Sequence, residues 1–371
     1  MCCRIPDFKE WVVGVSKIWL VCLMLLLAAS LQMQGCASVT TRPTVDPMLT
    51  SQEAGVQRRM AAEERTELAD RLSRVSLPVL VNGLPLCGDR VTWYLGMETA
   101  SEDLYAAEWR QAYREVLGVN EHVTVTRVYE ATPAQAAGLR KGDRILMVNG
   151  VKIEPGKKCY DTFHERLDAA LKHGRPVSFW IERDGAPRLV EAIPAQCCGY
   201  PVIMDDSEEI NALATGDTVI VNKGLLKFTE TDAEIALIVG HELAHNVLEH
   251  GVKASGNQML GAAVDGIIAG ITGVYSNAFT NAGTMAYSQE FEQEADYVGI
   301  YFMERGGYDS TETPKFWRRM GANNPYSISH ASSHPTSASR TVFLEECVKE
   351  IKAKREAGRA LLPEFKKTAT R

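Results

Sequence analysis

His241-Glu242-Leu243-Ala244-His245 lies inside a run, Ile235–His250, that reads as one helix. Ahead of it, Thr231-Asp232-Ala233-Glu234 has the Thr-x-x-Glu spacing of a capping box, and Gly251 reads as its stop. Two histidines four apart share one helical face, so both imidazoles reach one metal ion. Neutral imidazole suits Zn²⁺, and a Glu between the two is placed to act as general base on a water at that ion. With 8 His in 371 residues, the bare motif arises by chance in roughly 1% of such chains.

A third ligand is available downstream in Ser288-Gln289-Glu290-Phe291-Glu292-Gln293-Glu294-Ala295-Asp296-Tyr297-Val298-Gly299. Phe291, Ala295, Val298 and Phe302 have helical spacing, and Gly306-Gly307 ends the element. Glu292 and Asp296 are four apart and share a face. Glu292 is the candidate ligand; Asp296 is the candidate that orients a ligand histidine through its other ring nitrogen. Glu290 and Glu294 fall on other faces and read as solvated.

His241–His245, followed by Glu292-x-x-Ala295-Asp296-x-x-Gly299, resembles the gluzincin metallopeptidases of family M48. That family includes the CAAX prenyl endopeptidases, the HtpX-type proteases and periplasmic lipoprotein proteases. Asn211-Ala212-Leu213-Ala214, Thr218–Val221 and Gly224-Leu225-Leu226 resemble its edge-strand element. His334-Pro335-Thr336-Ser337-Ala338-Ser339-Arg340 resembles its late element. The resemblance spans residues 197–350. It implies an α+β fold: a mainly helical zincin-type metallopeptidase domain with a small edge-strand sheet, at 197–371.

The resemblance further implies that His241, His245 and Glu292 hold one Zn²⁺ per chain. Glu242 would take a proton from the attacking water and pass it to the leaving amine. His334 would steady the oxyanion or cap the metal in a closed state; a plain loop histidine beside Pro335 is the alternative. Arg340 would fix that segment, or else be a surface arginine at a helix start. Asn211, Ala212, Thr218, Val219, Ile220 and Val221 would form the strand that pairs with an extended polypeptide substrate.

Residues 85–196 read as a β-rich domain. His122–Tyr129 alternates as a strand, and Asn149-Gly150 is a hairpin signal. Pro133-Ala134-Gln135-Ala136-Ala137-Gly138-Leu139-Arg140-Lys141-Gly142-Asp143 and Ile145-Leu146-Met147-Val148-Asn149-Gly150 resemble the bacterial PDZ pattern. Such domains add an extended peptide to a sheet edge. Leu95-Gly96-Met97 and Leu117-Gly118-Val119 are both candidate loops for a peptide C-terminus. A helix-like insert, Ser101–Leu117, separates them and departs from the ordinary pattern, so the groove is either a peptide site or a spacer.

Arg4, Lys9 and Lys17 precede the apolar run Ile18–Leu31, which is too short to span a bilayer and fits a secretory signal. Gly35-Cys36 then resembles a lipobox, implying a signal peptide at 1–35 and lipid on Cys36. An uncleaved anchor helix is the alternative. Either reading puts the folded part on the periplasmic side of a bacterial envelope, and Ala37 after Cys36 points to the outer membrane. Residues 36–84 read as a Thr/Pro/Ser-rich tether to residue 50 and then a charged amphipathic helix, 51–76.

A net charge of −7 and 45% apolar residues exclude a disordered chain and argue against nucleic acid as partner. No Cys-x-x-Cys pair supports a thiolate zinc site. Cys87 with either Cys197 or Cys198 would close the middle domain as a disulfide. Gly266–Gln289 carries no charge, but its Ser, Asn and Thr residues make a buried or gating helix a better reading than a span. His122, His164, His173, His250 and His330 show no ligand spacing, and Phe316 and Trp317 read as core. The expected function is a zinc endopeptidase of envelope protein quality control. A chaperone-like or peptide-binding protein with a closed zinc site is the rival.

Overall fold

The computed structural model describes residues 42–256, 259, 278–323 and 338–365. The chain divides into residues 1–54 and 55–371, each taken by itself. In the first, Asp46 caps the start of α1 (Pro47–Asn82), accepting the Met48 N–H at 2.8 Å. Pro47 takes the first helical position, where no donor is needed. The helix expected at 51–76 therefore starts earlier and runs to Asn82: Asp46-Pro47 is a helix start rather than part of a tether.

In the second, the β-rich part holds β1 (Val91–Tyr94), β2 (Met97–Ala100), α2 (Arg110–Leu117), β3 (Thr124–Val128), α3 (Pro133–Ala136), β4 (Arg144–Val148), β5 (Val151–Lys152), α4 (Cys159–Leu171), β6 (Val177–Arg183) and β7 (Ala186–Ala192). Strands β2-β3-β4-β6-β7 form one antiparallel sheet in that order, with β5 on β4. Alternation builds it: Val177, Phe179 and Ile181 of β6 are buried while Trp180 between them is exposed. Asn149 and Gly150, at φ 47° and 77°, make the turn between β4 and β5.

The two candidate peptide loops separate here. Gly118 adopts φ 73° and donates its N–H to Arg114 O, so Leu117-Gly118-Val119 is the C-terminal cap of α2. Leu95-Gly96-Met97 instead leads into β2, which lies at the sheet edge.

β1 pairs antiparallel with β8 (Ala195–Cys198), bringing the entry and exit of this region together. A disulfide between Cys87 and Cys198, Cα atoms 5.7 Å apart, seals the stem. Cys197 remains a buried thiol. The register decides between the two cysteines, since neighbours in a strand face opposite sides.

The remaining elements are β9 (Val202–Asp205), β10 (Ala212–Ala214), β11 (Val219–Asn222), α5 (Lys223–Phe228), α6 (Asp232–Val247), α7 (Ala278–Arg305), α8 (Thr313–Asn323) and α9 (Ala338–Glu356). β11 lies between β10, antiparallel, and β9, parallel. This corrects the expected substrate strand: Val219, Ile220 and Val221 are occupied on both sides, and only β10 offers a free edge among the described strands on that side.

Thr231 caps α6 as expected, its hydroxyl accepting the Glu234 N–H at 3.3 Å. Gly251 is not the stop: the helix ends at Val247, and residues 250–256 are helical again. Every residue of α6 from Ile235 to Ala244 is buried, the mark of a central helix. It crosses α7 at two glycines. A Cβ on Gly240 would lie 2.4 Å from Gly299 O, and one on Gly299 would lie 2.8 Å from His241 Cα. Only glycine allows that approach, which brings Glu292 to the histidines.

α1 joins this core through Leu72, Val75 and Val79. Its Arg71 and Arg74 bond Asp232, the first residue of α6, at 2.9 and 2.8 Å. Another face of α1 meets the β-rich part, where Asp70 pairs with Arg127 of β3. Among the described residues no helix is long and apolar enough to cross a membrane. Of the uncharged stretch Gly266–Gln289, residues 278–289 begin α7; the others lie outside the described residues.

Candidate metal centre

His241 and His245 project from successive turns of α6, and Glu292 arrives from α7. His241 Nε2 and His245 Nε2 are 3.1 Å apart. Glu292 Oε2 is 3.4 Å from the first, and Oε1 is 3.3 Å from the second. A tetrahedral zinc site with bonds of ~2.0–2.1 Å has ligand-to-ligand edges of about 3.3 Å. The three side chains therefore fit one zinc ion in both spacing and donor type, and they form a potential metal-holding group among the described residues.

Asp296 Oδ1 stands 3.0 Å from His241 Nδ1, so the expected carboxylate–imidazole contact forms. Arg340, buried, grips both Asp296 oxygens at 2.5 and 2.7 Å and reaches Glu292 Oε2 at 3.2 Å. Its guanidinium lies 3.6 Å from the Trp317 ring centre, and Trp317 also meets the His241 ring edge-on at 5.7 Å. Trp317 is thus core, as read, and also the wall behind the first histidine.

These contacts set the charge states of the metal-free site. Burial and the Arg340 charge push the His241 imidazole down, but the hydrogen bonds it donates to the Asp296 and Glu292 carboxylates outweigh them and raise it to about 9. Burial raises the Asp296 carboxyl; Arg340 and His241 more than offset that and hold it below the usual range. Burial lowers His245.

Glu242 is buried on α6 between the two histidines. Asn246, next along the helix, accepts the Gly216 N–H at 2.6 Å and donates to Thr218 O at 3.0 Å. It pins the β10–β11 turn against α6. In that hairpin Asn222 N bonds Asn211 O, and Thr215 N bonds Thr218 O. Antiparallel alternation then turns the backbone groups of Ala212 and Ala214 outward to the free edge. Asn211 and Thr218 belong to the hairpin's inner bonding and its turn. His334 and Cys36 lie outside the described residues.

Sequence reasoning passed over His250 and Asn246. His250 follows His245 by five, which leaves it off the ligand face of a regular helix. It returns to the site because the helix has ended and Glu249 takes a left-handed φ of 55°. No periodicity reports such a turn.

Residues 188–348 match Peptidase family M48, and residues 94–193 match the PDZ domain. This chain carries an M48 peptidase domain behind a PDZ domain. The mitochondrial metalloendopeptidase OMA1 of Schizosaccharomyces pombe is 28% identical over 148 residues, 38% of this chain and 44% of that protein. The beta-barrel assembly-enhancing protease of Escherichia coli is 26% identical over 173 residues, 41% of this chain and 35% of that one. The chain thus spans less than half the length of these curated relatives. The HtrA3 PDZ domain solved with a phage-derived ligand is 17% identical, with 29% of this chain and 88% of that one covered and a TM-score of 0.21. The metal group described above lies wholly within the M48 domain, and the edge strand β2 within the PDZ domain.

Proposed function

We propose that this chain is a zinc-dependent endopeptidase of bacterial envelope polypeptides. The observation that carries the reading is the fit of His241, His245 and Glu292 to one zinc ion, with Glu242 on the same helix. Zinc held there would supply Lewis acidity, polarising a scissile carbonyl and acidifying a water. Glu242 accepts the proton of the attacking water and returns it to the leaving amine. Asp296 and Arg340 hold His241 in place. The outward amides and carbonyls of Ala212 and Ala214 receive an extended substrate backbone, which recognises shape rather than one side chain. His334 keeps the oxyanion or capping role that the resemblance implies.

In the PDZ domain, Leu95-Gly96-Met97 and the edge of β2 are the groove for a peptide C-terminus. The proposed organisation is a signal at 1–35, tether and helix to residue 84, PDZ-like domain at 85–196 and peptidase domain at 197–371. Lipid on Cys36 would anchor the protein, facing the periplasm, to the outer membrane. The likeness to proteins named for β-barrel assembly supports that setting.

Zinc content and casein cleavage of the chain from residue 37 onward test the reading. Wild type carries one zinc per chain and cleaves; Glu242→Gln keeps the zinc and loses about 10²–10⁴-fold in rate. No zinc in wild type overturns the assignment. Zinc without cleavage in either favours the closed-site rival, which His334→Ala would then open.

A further inference from the structure

His250 and Glu294 have no part in the chemistry above, yet they are built onto it. His250 is 3% exposed. Its Nδ1 lies 3.0 Å from His245 Nδ1, and its Nε2 lies 3.1 Å from Glu294 Oε2. The ring stacks on Phe291 at 4.5 Å and 15°, one residue before the ligand Glu292. Glu294 comes from the same helix, α7, with its side chain half in solvent.

Proton bookkeeping allows one arrangement. A His245 that ligates through Nε2 carries its proton on Nδ1. His250 Nδ1 must then accept, so its own proton sits on Nε2 and is donated to Glu294. His241 has the same arrangement in shorter form, with Nδ1 meeting Asp296 directly. Both histidines of the metal group are thus backed by a carboxylate, one directly and one through a second imidazole.

The geometry points to His250 and Glu294 as the positioning arm of His245, fixing its tautomer and ring angle for the metal; this rests on the metal-site reading above. The arm ties α7 to the residues just past the end of α6, so α7 supplies a carboxylate to each imidazole, Asp296 to His241 directly and Glu294 to His245 through His250. Partners of this kind typically carry a 10–100-fold effect on metal affinity.

The test uses the full chain and its His250→Phe, His250→Asn and Glu294→Ala variants. Zinc affinity is read by competition with a chromophoric chelator, and ligand geometry by the visible spectrum of the cobalt-loaded protein. Phe keeps a ring on Phe291 but has no acceptor, so it should lose about 10–100-fold in affinity and shift the cobalt bands. Asn offers an amide oxygen near the Nδ1 position and should recover to within about threefold of wild type. Glu294→Ala, at a half-exposed position that folding tolerates, should lose a few-fold.

Affinity and spectrum unchanged in His250→Phe, or Asn as weak as Phe, would overturn the arm and leave a packing role. Should His250→Phe fail to fold, unchanged affinity and unshifted cobalt bands in Glu294→Ala overturn it. A wild-type chain that binds no zinc removes the metal reading and the arm together, whereas zinc bound equally by all variants removes the arm alone.

Discussion

Arg340 holds Asp296 by both carboxylate oxygens, at 2.5 and 2.7 Å, in a setting where neither side chain reaches solvent. Asp296 in turn meets His241 Nδ1. The pair brings α9 onto α7 and fixes the ring of the first histidine. Removing the arginine leaves a buried carboxylate uncompensated, which costs about 3–5 kcal/mol. Arg340→Ala should therefore lower the denaturation midpoint of the metal-free chain and weaken zinc binding. Arg340→Lys should rescue neither fully, because a lysine cannot bind both oxygens in a planar fork. Equal stability in all three proteins would show that the pair is not structural.

The pH dependence follows from His241. Its pKa is raised from 6.5 to about 9 in the folded, metal-free chain. A raised imidazole contributes stability that is complete below the unfolded value and lost as pH climbs through the folded one. The metal-free chain should thus lose stability between pH 6.5 and 9. The lowered His245 and His250 act below 6.5, and the raised thiols of Cys197 and Cys347 act above that window. Zinc requires a neutral imidazole, so loading releases a proton in this range and apparent affinity rises with pH. Thermal unfolding with and without zinc across pH 6–9 checks the sign; a flat metal-free profile would refute it.

The Cys87–Cys198 bond closes a sequence separation of 111 residues. Chain-entropy arguments for a loop of that size give about 4–5 kcal/mol. Reduction, or Cys87→Ser with Cys198→Ser, should lower the unfolding free energy by that order in denaturant titrations. Cys197→Ala should change it far less. In the native chain Cys197 should resist alkylation, since burial pushes its thiol up to about 11.

The proposed substrate edge, β10, makes a residue-by-residue prediction. Ala214 points its N–H outward, whereas Leu213 is paired with Ile220 of β11. Proline at 214 removes an outward donor and leaves the hairpin bonds intact. Loss of one such bond is worth about 1 kcal/mol, so kcat/KM should fall several-fold with unchanged zinc content. Leu213→Pro should instead damage the hairpin and lower stability. If Ala214→Pro left peptide cleavage untouched, substrate would not enter along β10.

The metal group was legible because it is written in local periodicity. His241 and His245 share a face by spacing alone, as do Glu292 and Asp296, and Thr231 announces the helix that carries the first pair. The turn at Asn149-Gly150 was equally local. Tertiary structure decided what depends on the order and register of distant segments. Strand order made β10 the edge and put β11 in the middle. The β1–β8 register chose Cys198 over Cys197.

Glycines at 240 and 299, unremarkable in the sequence, let two helices approach until Glu292 met His241 and His245. One left-handed residue, Glu249, carried His250 back to His245. Periodicity tells which side chains share a face. Which faces meet, and at what register, is set by burial and backbone pairing between segments far apart in the chain, and no local pattern encodes that.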